Sequence, residues 1–295
     1  MEANVRIGPA GWSYPDWDGV VYPRSKPKRF DALEYLSSYF SLIEVNSTFY
    51  RIPSPSTCRS WARRTPSAPA FVFSVKAPQD FTHSRAAGHL DEAGSFKRAV
   101  SPLAEDDKLS CVLVQFPWSF RCDDDSKRRL EAITRALAPL PLAVEVRHGT
   151  WARDAGRRFL ESTGHTICGV DQPVIGDSLG PRLYTPGPAG CYFRFHGRNY
   201  RQWFRSGAGR DARYDYLYSD EELRSWVQTI RAAAEAGDVS VVMNNHFRGQ
   251  AVANAFELVA MLSGGRPRAP SELRRTYPHL AAVTEDDSPG GTLFD

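Results

Sequence analysis

Three polar pairs in this chain stand two positions apart, each astride one apolar residue: Glu44 and Asn46 around Val45, Glu145 and Arg147 around Val146, Arg194 and His196 around Phe195. Side chains alternate across a β-strand, so each pair projects from one strand face while the residue between turns away. Other short apolar runs close on Lys76, on Gln115, on Asp171, and on Asn244, Asn245 and His246. Carboxylates set among fixed cations suggest two kinds of chemistry. Glu44, Glu145, Asp171 and His196 are candidate catalytic groups that could carry protons, with Lys76, Arg147 and Arg194 clamping an anionic substrate. Alternatively Glu145, Asp171, His196 and His246, joined by Glu44, offer the carboxylates and imidazoles that zinc or manganese takes in metal-assisted hydrolysis. Against a metal, the three cations roughly balance three carboxylates, and no H-x-x-E-H spacing occurs. The blandest reading pairs Glu145 with Arg147 and Glu44 with Lys76 as ions that only stabilise the fold.

The elements that must carry these residues are eight β-rich runs at 5–8, 41–45, 71–76, 111–115, 142–146, 166–170, 191–195 and 239–243. Helical spacing fills most intervals, at 31–40, 56–64, 92–103, 123–137, 151–163, 220–236 and 249–262. Between the sixth and seventh runs, 173–190 is rich in Gly and Pro, so that helix is expected to be reduced or missing. Strand then helix, with apolar β-branched strands, predicts an α/β fold: a single-domain (β/α)8 TIM-type barrel over 1–282. The polar residues then lie at the C-terminal strand ends, where such barrels carry their sites. Gly8-Pro9-Ala10-Gly11 lacks the G-x-G-x-x-G spacing, which argues against a dinucleotide fold.

Seven strings strengthen this reading. Gly11-Trp12-Ser13, Glu44-Val45-Asn46-Ser47-Thr48-Phe49-Tyr50, Phe73-Ser74-Val75-Lys76, Gln115-Phe116-Pro117, Glu145-Val146-Arg147-His148, Arg194-Phe195-His196-Gly197-Arg198 and Asn244-Asn245-His246 occur in that order. Together they closely resemble the domain-of-unknown-function 72 family, over about residues 5–262. The resemblance implies a TIM-type barrel and leaves the activity open, so no catalytic role is carried over with it.

After the seventh run, 197–219 interleaves Arg198, Arg201, Arg205, Arg210 and Arg213 with Tyr200, Trp203, Phe204, Tyr214, Tyr216 and Tyr218. Basic groups meet phosphates and aromatic faces stack on bases, so this loop is either a nucleic-acid surface or a lid over the mouth. Trp12, Tyr14, Trp17 and Tyr22 form a second aromatic group after the first run. His83 enters the mouth or is an ordinary loop histidine, and His148 helps start the helix near Trp151.

Composition narrows the function classes. The 295 residues carry 37 basic and 34 acidic side chains, net +3, so any attraction for polyanions must be local. No apolar run is long enough to span a bilayer, and the first ten residues contain no signal-like apolar stretch, so a cytoplasmic chain with no membrane partner is expected. Five cysteines without C-x-x-C spacing argue against a disulfide framework or a zinc ribbon. The acidic, Gly-containing stretch 283–295 reads as a flexible tail. Its Leu293-Phe294 pair faintly resembles peptides that bind sliding clamps, although glycine replaces the expected glutamine.

These observations converge on a hydrolase-like enzyme acting on a phosphorylated or nucleic-acid substrate at the C-terminal face. Asn46, Gln115, Arg198, Trp203, Asn244 and Asn245 would join Lys76, Arg147 and Arg194 in binding it. The alternatives are a non-catalytic nucleic-acid-binding barrel and a carbohydrate-active hydrolase with paired carboxylates.

Overall fold

The computed structural model describes residues 5–68, 70–181, 183–205, 207 and 210–287. Nine strands build its centre: β1 (Val5–Pro9), β2 (Leu42–Val45), β3 (Val72–Lys76), β4 (Leu109–Gln115), β5 (Leu142–Glu145), β6 (Thr166–Ile167), β7 (Gly169–Asp171), β8 (Cys191–Phe195) and β9 (Val239–Met243). They form two parallel sheets, ordered β1-β9-β8-β7 and β2-β3-β4-β5-β6. The sheets meet at two places. Ala10 bridges Glu44 in parallel beyond the end of β1, and β6 continues into β7 across Cys168 alone. Because every one of these ladders is parallel, the C-terminal strand ends share one rim.

Helices follow most strands, as the apolar spacing predicts. They are α1 (Ala32–Ser37), α2 (Pro55–Arg63), α3 (Gln79–His83), α4 (Ala93–Glu105), α5 (Asp124–Leu137), α6 (Asp154–Ser162), α7 (Arg210–Tyr214), α8 (Asp220–Ala236), α9 (Gln250–Ser263) and α10 (Ser271–Thr276). Their starts are chemically marked. The Asp31 carboxylate accepts from the amides of Leu33 and Glu34 ahead of α1, and Ser219 and Glu222 cap α8 reciprocally. The short α3, α7 and α10 have too few turns to show a periodicity in sequence. Among the described residues of 173–190 there is no helix, as expected; Ile167–Thr185 and His148–Ser178 bridges tie that segment down instead.

Alternation divides the strand residues between two cores. Outward residues such as Ile43, Phe73, Val112, Val144, Phe193 and Val241 pack under the helices. Inward residues from both sheets, including Leu42, Val72, Leu113, Ala143, Val170, Tyr192 and Val242, fill a second, smaller apolar cluster between them. At Gly8 a Cβ would lie 1.6 Å from the carbonyl oxygen of Leu42, so only glycine lets β1 approach β2 this closely.

The chain stays structured past Val283, where the sequence reading began the tail. Strand β10 (Arg268–Ala269) pairs with β11 (Glu285–Asp286), and buried Thr284 donates its hydroxyl to the carbonyl of Leu280. Residues 288–295, with Leu293 and Phe294, lie outside the described residues. No helix among the described residues is long and apolar enough to cross a membrane.

Candidate functional site

Above the inner apolar cluster, the inward faces of the strands change from hydrocarbon to charge. Arg194, on β8, is fully buried and spans the two sheets: Nη2 donates to Glu44 Oε1 at 2.6 Å and Nη1 to Glu145 Oε2 at 2.5 Å. Nη1 also lies 3.3 Å from Gln115 Oε1. The Tyr192 hydroxyl, one alternation lower on β8, donates to Glu44 Oε2 at 2.9 Å and contacts Ser74 Oγ at 2.6 Å. Arg147 donates from Nε to Glu145 Oε1 at 2.7 Å, the contact that its spacing of two from Glu145 predicts. The two carboxylates are therefore occupied by two guanidiniums, which is what makes burying four charges tolerable.

His196, one alternation above Arg194, joins this cluster. Its Nδ1 accepts from the Asn244 amide at 2.9 Å, and Nε2 faces Glu145 Oε1 at 3.2 Å and Arg147 Nη2 at 3.1 Å. Burial first, then the positive field of Arg147, pushes its pKa down to about 3, so the ring is neutral at neutral pH. Burial alone would raise the pKa of Glu145, but Arg194 and Arg147 outweigh it and hold the carboxyl well below its ordinary range.

Lys76 ends β3 on the same inward face and is treated differently. Among the described residues its ammonium has no ion pair and no hydrogen bond; Nζ lies 3.9 Å from the centre of the Phe49 ring. Burial, with Arg194 next in size, lowers its pKa to about 7. Beside it His83, on α3, packs edge-on against Phe49 and is lowered to about 4, by burial and then by Lys76.

These side chains open into a cavity of about 60 Å³ lined by Tyr14, Asn46, Phe49, Tyr50, Lys76, Arg194, Tyr214, Asn244 and His246. An adjoining hollow of about 280 Å³ shares Tyr14, Asn46 and Tyr50 and is walled by Gly11, Trp12 and Ser13. Aromatic rings roof the mouth. His246 stacks on Tyr14 at 4.5 Å and lies 5.1 Å from Tyr214, while buried Trp203 covers Arg147 at 5.9 Å. The loop after β8 thus gives Trp203 and Tyr214 to the roof, and exposes Tyr200 and Phe204. A larger hollow of about 460 Å³ at the opposite strand ends is lined by Arg6 and Asp238, which pair with each other at 3.2 Å. It lies away from the buried charge cluster of the mouth, so its size does not make it the better site.

Of the residues singled out in the sequence, the structure brings Glu44, Asn46, Lys76, Gln115, Glu145, Arg147, Arg194, His196, Trp203, Asn244 and His246 to this mouth. Asp171, Arg198 and Asn245 do not belong to it. Val170 points inward, so Asp171 must point outward, under α8. There its oxygens accept from Arg198 Nε and Nη2, the Tyr218 hydroxyl and Trp226 Nε1, all within 2.9 Å. Arg198 is consumed by Asp171 and Glu222 rather than offered to a substrate. Asn245, one step from inward-facing Asn244, donates to Asn254 on α9 and to the Tyr216 carbonyl. This parity also dissolves the anticipated metal set of Glu145, Asp171, His196 and His246. Among the described residues no group of three or more His, Cys, Asp or Glu is arranged to hold a metal ion.

His148 caps the turn leading to Trp151, its Nδ1 accepting from the Thr150 amide, as the sequence suggested. Phe49, Tyr50, Ser74 and Tyr192 were not anticipated as site residues. For Ser74 and Tyr192 the signal was present, since each stands two positions before a mouth residue.

The comparisons with known proteins agree with this architecture. The chain is 30% identical over 284 residues to UPF0759 protein YunF of Bacillus subtilis, covering 90% of this chain and 98% of that protein. A DUF72 family protein of Thermotoga maritima superposes with a TM-score of 0.74 at 34% identity, covering 88% of this chain and 99% of that one. One from Enterococcus faecalis gives 0.77 at 25% identity, covering 88% and 95%. The family described as "Protein of unknown function DUF72" matches residues 6–276, and the chain belongs to that family.

Proposed function

We propose that this chain is an enzyme that seats a phosphate or carboxylate group of a small substrate in the mouth, with Lys76 as both the anion's partner and the proton-transfer group. The observation that carries the reading is the Lys76 ammonium, which lines the cavity without an ion pair or hydrogen bond among the described residues, while the two buried carboxylates near it already serve two arginines. An incoming anion supplies the missing counter-charge. At roughly 30 Å³ per water, the inner cavity of about 60 Å³ displaces about two waters, room for a small anionic headgroup. The adjoining hollow, walled by Trp12 and Tyr14, would take the rest of the molecule.

The reading treats the two sheets as one closed (β/α)8 barrel in a single domain. Support comes from the Ala10–Glu44 bridge on one side and the uninterrupted passage from β6 to β7 on the other. A site at the C-terminal rim is where such barrels carry chemistry. Glu44 and Glu145 serve here to hold Arg194 and Arg147, because both are bonded to the same buried guanidinium. That arrangement gives no support to a glycosidase, whose carboxylates must face the sugar.

Titration calorimetry with inorganic phosphate at pH 7 tests the reading. An amine with a pKa of about 7 is about half charged there, so binding should charge it by about half a proton, seen as heats that vary with buffer ionisation enthalpy when the titration is repeated with sulfate, whose own charge does not change near pH 7. Lys76→Met should lose the binding. Absence of binding to the wild-type protein, or equal binding by the variant, overturns it.

Exposed Tyr200 and Phe204 beside exposed Arg201 and Arg205 favour a second reading, in which the substrate is part of a nucleic acid. Affinity for single-stranded oligonucleotides would then fall with salt and with the double variant Arg201→Ala/Arg205→Ala.

A further inference from the structure

We propose that Lys76 is a nucleophile that forms a reversible imine with a small aldehyde or ketone bearing an anionic group. This rests on the pocket reading above and adds to it the substrate class.

The chain has six lysines, and two of them have their amino groups in the interior, where the contrast is informative. Lys108 donates to the carbonyls of Ala62 and Thr65 and to the Thr65 hydroxyl, three acceptors for three protons. That is a structural lysine, and its nitrogen has no lone pair to offer. Lys76 has an aromatic face on one side, no acceptor among the described residues, and a cavity in front of it. An ammonium so placed loses hydration without gaining partners, which favours the neutral amine. Relative to an ordinary lysine, a pKa of about 7 raises the neutral fraction at pH 7 by on the order of a thousandfold, which supplies the nucleophile.

A second, independent feature points into the same cavity. Asn46 Oδ1 is buried and has no hydrogen-bond partner among the described residues, although Asn46 lines both hollows. An unsatisfied acceptor of this kind is costly unless a ligand donates to it. The hydroxyl of a carbinolamine and the N–H of an iminium are both such donors, and both form only when Lys76 adds to a carbonyl.

The step balances without a further reactant. The amine lone pair forms the C–N bond while the carbonyl π pair moves to oxygen. That oxygen then receives two protons, one from the amine nitrogen and one from solvent; the C–O bond breaks and water leaves. The product is an iminium with one N–H. It keeps a positive charge at the position of the ammonium, so the substrate's anionic group retains its partner. Addition of water reverses every step.

The test treats the intact protein with glyoxylate and sodium cyanoborohydride at pH 7, then maps adducts by mass spectrometry. Hydride reduction turns an imine of glyoxylate into a carboxymethylated lysine. Lys76 is expected to be modified at least tenfold faster than exposed Lys26 and Lys28, and inorganic phosphate should suppress its modification selectively. Lys76→Arg, which has no primary amine at that position, should show no adduct beyond the slow surface labelling. Modification of Lys76 no faster than Lys26, in protein that binds phosphate, overturns the imine and leaves the anion site standing. Fast modification that phosphate does not slow supports the imine and overturns the anion site.

Discussion

Replacing Arg194 by methionine probes the buried charge cluster directly. The guanidinium has no exposed surface, and its bonds of 2.6 and 2.5 Å to Glu44 and Glu145 tie the two sheets together. Methionine replaces the aliphatic stem but offers no donor where the guanidinium lies. Glu145 would keep Arg147, whereas Glu44 would be left with the Tyr192 hydroxyl. Breaking a buried pair while leaving one charge behind costs about 3–5 kcal/mol, a large share of an ordinary domain's ~5–15 kcal/mol. At about 2–4 °C per kcal/mol for chains somewhat smaller than this one, Tm should fall by about 6–20 °C. Urea unfolding followed by tryptophan fluorescence and by far-UV circular dichroism gives the free energy. The double variant Arg194→Met/Glu44→Gln should recover about half of the loss or more, because a neutral amide still accepts from Tyr192 and leaves no buried charge. A loss below ~1 kcal/mol in the single variant, or no recovery in the double one, refutes the reasoning that Arg194 is held by charge rather than by packing.

Further expectations follow from individual residues. Because the folded pKa of Glu145 lies well below the usual ~4.3, its contribution to stability is present above that value and lost as pH falls through the folded pKa; Glu145→Gln should therefore flatten the acid limb of a stability–pH curve. For His196, lowered to about 3, nitrogen-15 shifts should report a neutral imidazole from pH 8 down to at least pH 5, and a midpoint near 6.5 would contradict its burial beside Arg147. Gly8→Ala should prevent folding or cost more than ~4 kcal/mol, since its methyl group would overlap the Leu42 carbonyl; near-wild-type unfolding would show that β1 and β2 are not held so closely.

Much of the mouth was legible because alternation on a strand is a strong constraint. Glu44 with Asn46, Glu145 with Arg147, and Arg194 with His196 could be assigned to one face from spacing alone, and all six meet there. The same rule would have excluded Asp171 and Asn245 had the register of β7 and β9 been known, but a single polar residue at a strand end does not reveal its own parity. The split between roof and rim in the loop after β8 had no periodic signal. Trp203 is buried and Phe204 exposed, although both are large aromatics in adjacent positions. The value of Lys76 was hidden for another reason. Sequence counts charges, and counting suggested a Glu44–Lys76 pair; only geometry shows that Arg194 has taken that carboxylate and that Lys76 has no ion pair among the described residues.

Carbon-13 titration of the lysine side chains tests that conclusion most directly, with Lys76 assigned from the spectrum of Lys76→Arg. The account predicts a Lys76 midpoint near pH 7 in the free protein, moving upward when inorganic phosphate is added, while Lys26 and Lys28 stay in the ordinary range. A Lys76 midpoint in the ordinary range near ~10.4, unmoved by phosphate, would contradict it.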